Sequence, residues 1–432
     1  MRRLSSCAGA LYLVVMTACG RDVTFVDPRA ATEPGDTTNG GGRQTVVRGN
    51  LHITVTVAAE DTAIAGALGL GGPGLPGATV TVRRLGQPLH QALTDSAGRV
   101  SLPGLVTGPW AVTAVRVLTA EERATLPAGA EDVTGFAAGA SVTVIEAGTV
   151  VEMPAYAGRG GSVVINEVFP VNLPTDGNSY NTAQYIELVN NGFETVYLDG
   201  MIVGFTYHSL WESNVGTCEE TRAWREDSLG VWARFFGSFP GGGQSYPLTP
   251  GEAVVVATDA VDHSQFFPVL PNLSARANFE FIGSSDVDNP AVPNMLNTGV
   301  AEWGGGVIGH GLLFSVSALH VFVAAPLDPD TLLSDILIPN WKHVRIPRGA
   351  VLDVFTSRRT PELEAASALV PCSRTTHSVF DLQHAELFDY TQPISIRRRV
   401  FQALGDGRVL LLRTRNSRVD FETAPTTPGQ VP

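Results

Sequence analysis

Polar and apolar positions alternate with a period of two along much of the chain, the signature of strands with one buried face. Leu51, Ile53, Val55 and Val57 fall on one side of such a segment, and His52, Thr54 and Thr56 on the other. The same pattern predicts strands over residues 78–84, 100–102, 110–115, 140–146 and 149–153. Turn formers separate them at residues 66–77, 94–99 and 103–105. Residues 119–126 are the one helical candidate. A second series of apolar runs covers residues 162–169, 184–191, 196–203 and 248–257, then 351–355, 395–400 and 420–421. The expectation is an all-β chain with one unit over residues 49–158 and another over 161–425. Residues 426–432 are expected to be a disordered tail.

Composition supports strands joined by many turns. The 432 residues include 46 glycines and 28 prolines, and only 16% are charged. Formal net charge is −13, and Lys342 is the single lysine among 29 basic residues. So acidic a balance argues against nucleic acid as a partner, which needs a basic surface. It also argues against adhesion to anionic lipid through charge.

The amino terminus changes the picture most. Arg2 and Arg3 precede an apolar run over residues 8–17, and small Ala18 stands directly before Cys19. The run is about half the length that a bilayer span requires, so it reads as a secretory signal over residues 1–18. It resembles a bacterial lipoprotein signal, which implies that Cys19 is acylated and becomes the first mature residue. The absence of Asp directly after Cys19 implies, by the same resemblance, the outer membrane or cell surface. Residues 19–48 lack apolar periodicity and read as a flexible tether. Cys7 belongs to the signal, which leaves Cys218 and Cys372. In an oxidising compartment these two are expected to form a disulfide.

Two family resemblances follow from short motifs. Leu75-Pro76-Gly77-Ala78-Thr79-Val80, then Thr94-Asp95-Ser96-Ala97-Gly98-Arg99, then Leu102-Pro103-Gly104-Leu105 with Trp110 resemble the carboxypeptidase regulatory-like family. That family has a transthyretin-like β-sandwich and implies a non-enzymatic spacer. Further on, Val164-Ile165-Asn166-Glu167-Val168, Tyr185-Ile186-Glu187-Leu188-Val189-Asn190 and Val196-Tyr197-Leu198-Asp199-Gly200 occur in order. They resemble the lamin-tail domain, an immunoglobulin-like β-sandwich, here expanded by insertions near residues 205–247 and 262–348. The whole layout is similar to a Bacteroidetes-type family of surface lipoproteins. Its members often accompany TonB-dependent outer-membrane receptors, which implies such a receptor, or an extracellular ligand, as partner.

Candidate chemistry is sparse. Asn166, Glu167 and Glu187 are the tempting carboxylate group, but their strand positions point to a structural role. Asp95 and Asn50, and Asp286, Asp288 and Asn289, carry hard oxygens in turns without the rest of a calcium loop. The nine histidines form no HExxH pair, and no phosphate loop or nucleophile elbow occurs. The glycine runs 241–243 and 304–306 read as turns. No catalytic residue, cofactor or metal site is therefore expected. The tryptophans of the first insertion, Trp211, Trp224 and Trp232, are the candidate binding residues, because loop tryptophans suit sugar or protein recognition. The expected function is a non-enzymatic, lipid-anchored surface protein presenting a binding domain. A structural envelope protein without a ligand, or an accessory of an extracellular hydrolase or nuclease, are the alternatives.

Overall fold

The computed structural model describes residues 46–431 apart from residues 71, 85, 162, 176–177, 206–210, 213–217, 220, 234, 282–287, 298–317, 329–330, 339–340, 360–369, 373–375 and 388–390. The signal, Cys19 and nearly all of the expected tether lie outside the described residues.

Strand Arg48–Val57 buries Leu51, Ile53 and Val55 and exposes His52 between them, as its alternation requires. It pairs antiparallel with Arg99–Val106 and parallel with Thr149–Arg159. The latter strand changes partner at Ala155, and its last residues pair with Val133–Val144. Seven strands thus form one hydrogen-bonded order that folds over itself into a sandwich. Trp110 fills its core at 1% exposure and donates its Nε1–H to the Val106 carbonyl at 2.8 Å. Asp95 holds the expected turn by accepting from the backbone N–H of Ala97 and Arg99 at 2.9 and 2.8 Å. Pro103-Gly104-Leu105 departs from expectation. A bulge absorbs it, with Gly104 at φ 70°, and the strand runs on to Val106. The helical candidate shortens to Ala120–Arg123, held by a capping box between Thr119 and Glu122. Helix Thr62–Ala67 is an addition that the turn-rich sequence around it conceals.

The second unit is a sandwich of two six-stranded sheets. One runs in the order Phe279–Glu280, Ala253–Ala257, Tyr185–Asn190, Val163–Phe169, Ile394–Arg398, Phe421–Pro425. The other contains Phe235–Ser238, Ile202–Phe205, Ala318–Ala324 and Val351–Arg359 as neighbours. All seven residues of Val163–Phe169 are buried. Its pairing with Tyr185–Asn190 carries a bulge at Asn166, so Ile165 and Val168 both face the inter-sheet core although they are three residues apart. Asn166 and Glu167 are left on the other face.

The insertions prove to be part of the sandwich rather than outgrowths of it. Phe235–Ser238 from the first and Ala318–Ala324 from the second flank Ile202–Phe205 inside the facing sheet. Phe235, Val321 and Val323 supply its core. Gly230–Ala233, Trp341–Pro347 and Ser334–Ile338 form a further three-stranded sheet that joins the two insertions. The glycine run 241–243 cradles Asp199, whose carboxylate accepts from the N–H of Gly243, Ser245 and Tyr246 at 2.8–2.9 Å. Gly241 sits at φ 114°, and a Cβ there would lie 2.2 Å from the Asp199 carboxylate.

The carboxyl-terminal residues are also ordered, against expectation. Pro428 is buried, and the backbone N–H groups of Thr427 and Gly429 donate to Glu167 and Glu187. Those buried acceptors fix the segment as a strap across the sheet.

The two sandwiches meet around Phe401, which packs with Ala137, Tyr156, Leu410, Leu412 and Val419. Its ring reaches Gly135, where a Cβ would stand 2.5 Å from the Phe401 Cζ. Truncating a buried aromatic leaves a cavity that costs about 3–5 kcal/mol. Phe401→Ala is accordingly expected to lower stability by about 3 kcal/mol in urea unfolding. A loss below about 0.5 kcal/mol, the range of surface substitutions, would show that the contact does not hold the units together.

Candidate functional site

Three groups of residues are candidates, and their surroundings separate them. The first is the carboxylate group singled out in the sequence. Glu187 and Glu167 stand opposite each other on adjacent strands, and both are fully buried. Glu187 accepts from Asn166 Nδ2 at 2.6 Å and from the Gly429 N–H at 2.6 Å. Glu167 accepts from the Tyr185 hydroxyl and from the Thr427 N–H and Oγ1–H at 3.0 and 2.9 Å. Burial pushes the Glu187 carboxyl up to about 7, with the Glu167 charge adding to the effect. These acids hold the strap down, and neither has any exposed surface.

The second group is the tryptophans. Trp224 and Trp232 stack with ring centroids 4.9 Å apart, and each is only 7% exposed. Buried His343 closes on Trp224 at 4.5 Å, and Trp232 Nε1–H donates to Asp227 at 2.9 Å. Buried Arg225 donates to Thr221 Oγ1 at 3.1 Å and to the Cys218 carbonyl. Cys218 and Cys372 lie at disulfide distance, with Cα atoms 5.4 Å apart across 154 residues of sequence. Trp224 and Trp232, candidate binding residues in the sequence, are therefore placed in the core instead. They fill the base of the three-stranded sheet because stacking removes more apolar area from water than display would. The Trp211 backbone pairs with Pro371, and its side chain lies outside the described residues.

The third group was missed. Loops 170–184 and 258–278 cover the end of the sheet where Phe169, Tyr185 and Ala257 lie. There Tyr180 packs against Phe266 and Phe267 at 5.8 and 5.1 Å between centroids. Phe266 is 62% exposed and Val269 48%. The rings are set by His263, which is fully buried. Its Nε2 lies 2.9 Å from the Asp259 carbonyl and must donate there, so Nδ1 accepts from the Tyr180 hydroxyl at 2.6 Å. Burial lowers the His263 pKa, which keeps the ring neutral in that role. The sequence signal was present as the apolar run Phe266-Phe267-Pro268-Val269-Leu270-Pro271 inside a loop.

The remaining calcium candidate is tied up. Asn289 donates through its amide to the Ala260 carbonyl and through its backbone N–H to Glu280, and Asp288 accepts from Asn294. Asp286 lies outside the described residues. Among the described residues no group of three or more His, Cys, Asp or Glu is arranged to hold a metal.

No family model and no curated protein matches the chain. Among solved structures it is similar to a DUF4876 family protein from Bacteroides thetaiotaomicron, 16% identical over 87% of this chain and 94% of that one, with a TM-score of 0.48. A candidate carbohydrate binding protein from Bacteroides uniformis aligns at 7% identity over 71% of this chain and 97% of its own, at a TM-score of 0.16. BcpA, the major pilin subunit of Bacillus cereus, aligns at 13% identity over 70% and 96%, at 0.15. Likenesses this distant carry no functional weight.

Buried acids give the molecule a predictable pH response. Burial raises Glu187 and Asp381 to about 7 and Asp420 to about 6. Each holds its proton more tightly folded than unfolded. Their stabilisation is therefore complete below the unfolded value near 4 and is lost as pH rises through about 6–7. Neutral His263 works in the opposite sense, and three acids outweigh it. The melting temperature is expected to fall between pH 5 and pH 8, and Glu187→Gln to flatten that slope. A flat or rising profile by calorimetry would contradict it.

Proposed function

We propose that this chain is a non-enzymatic, lipid-anchored protein of the outer membrane or cell surface that displays a binding surface at the far end of its second sandwich. One observation carries the reading. The chain passes from the first sandwich into the second at Val163, and the exposed Phe266 ring, beside half-buried Tyr180 and Phe267, lies at the opposite end of that strand, beyond Phe169. Seven extended residues separate the two ends by about 20 Å. Cys19 and the tether stand on the other side of the first sandwich in sequence. On this reading the Phe266 ring is presented away from the attachment point.

Their chemistry suits recognition rather than reaction. Aromatic rings held at an edge offer large apolar area with few rotors to immobilise, which favours a sugar face or an apolar patch of a protein. An outer-membrane receptor or an extracellular ligand is the proposed partner. The regulatory-like resemblance of residues 49–158 fits a spacer between lipid and binding unit.

Expression of the full chain with its signal tests both halves of the reading. The wild type is expected in the outer-membrane fraction, and Cys19→Ser in the soluble fraction. Affinity capture from detergent-solubilised outer membrane is expected to retain a partner. Phe266→Ala should weaken that retention by about tenfold, as expected for an interface anchor, with an unchanged melting temperature. Soluble wild type defeats the anchoring half; capture that Phe266→Ala leaves intact defeats the displayed surface.

A further inference from the structure

The junction between the sandwiches holds a second feature, independent of the displayed rings. Two adjoining cavities of about 290 and 470 Å³ open there, and both are lined by Arg83, Ala111, Arg399 and Glu422. The larger falls in the size range of small-molecule sites. Arg84 and Arg418 also line it, so four guanidiniums face two carboxylates, Glu422 and Glu386. In a chain of net charge −13 this is a local inversion of sign.

The pairing leaves positive charge over. Arg399 Nε lies 3.3 Å from Glu422, and Arg418 lies 3.4 Å from Glu386. Arg84 spends its Nη1 on the Thr107 carbonyl at 2.7 Å and stands 5.9 Å from the centre of the Trp110 ring. Arg83 has no carboxylate or carbonyl partner among the described residues. It also lies near enough to Arg399 for the two charges to oppose each other. An anion between the two guanidiniums would relieve that opposition. Arg399 is held in place by the carbonyls of Arg418 and Val419, so its guanidinium is fixed in advance.

The rest of the larger cavity is mostly apolar, with Ser141 and Thr423 as its uncharged polar residues. Pro109, Ala111 and Ala140 line one side and Ile396 and Phe421 the other. The small side chains at 111 and 140 leave the hollow unfilled. An anionic ligand with an apolar or sugar-like body meets both requirements, and a planar carboxylate matches a guanidinium in two-point geometry. We infer that this cleft binds a small organic carboxylate, its head between Arg83 and Arg399 and its body against Ala111, Ala140 and Phe421.

Titration calorimetry on the full chain is the test, with galacturonate and benzoate as acids and galactose and benzyl alcohol as their neutral counterparts. At least one acid is expected to bind while its neutral counterpart does not, and added salt should weaken it. Arg83→Glu is expected to reduce the affinity by more than about tenfold, because it both removes one cation and repels the anion. Arg83 is exposed at the end of its strand, so the melting temperature should stay unchanged. Binding of neither acid at millimolar concentration overturns the inference. So does equal binding of a neutral counterpart, or affinity that Arg83→Glu leaves intact.

Discussion

Arg398 retains no exposed surface and still carries a charge, so the second sandwich can close only around a complete set of partners. Its Nε donates to the Ile165 carbonyl at 2.6 Å, and its Nη1 to the Leu412 carbonyl at 2.8 Å and to Asp420 at 3.2 Å. Asp353 takes the remaining nitrogen, and the Phe421 ring lies 4.2 Å away. Asp353 also accepts the Ile165 N–H at 2.9 Å, and Asp420 accepts the Thr414 N–H at 2.9 Å and its hydroxyl at 2.7 Å. The partners come from both sheets, from the strand Phe421–Pro425 and from the end of the hairpin formed by Val400–Ala403 and Val409–Leu411, which carries Phe401. Removing one of them would strand a charge inside the protein, which is far more costly than losing a surface pair. The register of the sandwich and the docking of its neighbour therefore rest on one guanidinium.

That interaction also shows where sequence reading stops. Arg397-Arg398-Arg399 looks like a charged strand end. Period two sends Arg398 inward and its neighbours outward, where Arg397 meets Thr427 and Arg399 meets Glu422. Alternation of apolar residues marked the strands around Ile53 and Val80, and the turn at Asp95, because each depends on local forces. A buried arginine reads as a break in the pattern, since its partners lie up to 233 residues away. The bulge at Asn166 was hidden for a related reason. The run Val163-Val164-Ile165 is apolar on both faces, and nothing in it reports the change of phase.

The candidate sites follow the same division. The tryptophans drew notice as residue types, and type alone does not tell a stacked core pair from a display surface. Phe266 stands in an apolar loop run and was legible in principle. The arginine cleft draws on residues near 83, 111, 140, 399 and 422, which no spacing rule brings together. Cys218 and Cys372 were easier, because elimination left only two candidates.

The strand orders have a consequence for how the protein is made. Every strand of the first sandwich finds its neighbours within residues 48–159, so that unit is complete before the second begins. Val163–Phe169 is different. It starts the second sandwich, yet one of its flanking strands is Ile394–Arg398, with Ile396 beside Val168. More than two hundred residues must emerge before that side is covered. During synthesis, an apolar strand with an open edge waits for its partner, the kind of surface that chaperones shield. The finished first sandwich stands ahead of it in the chain as a folded block.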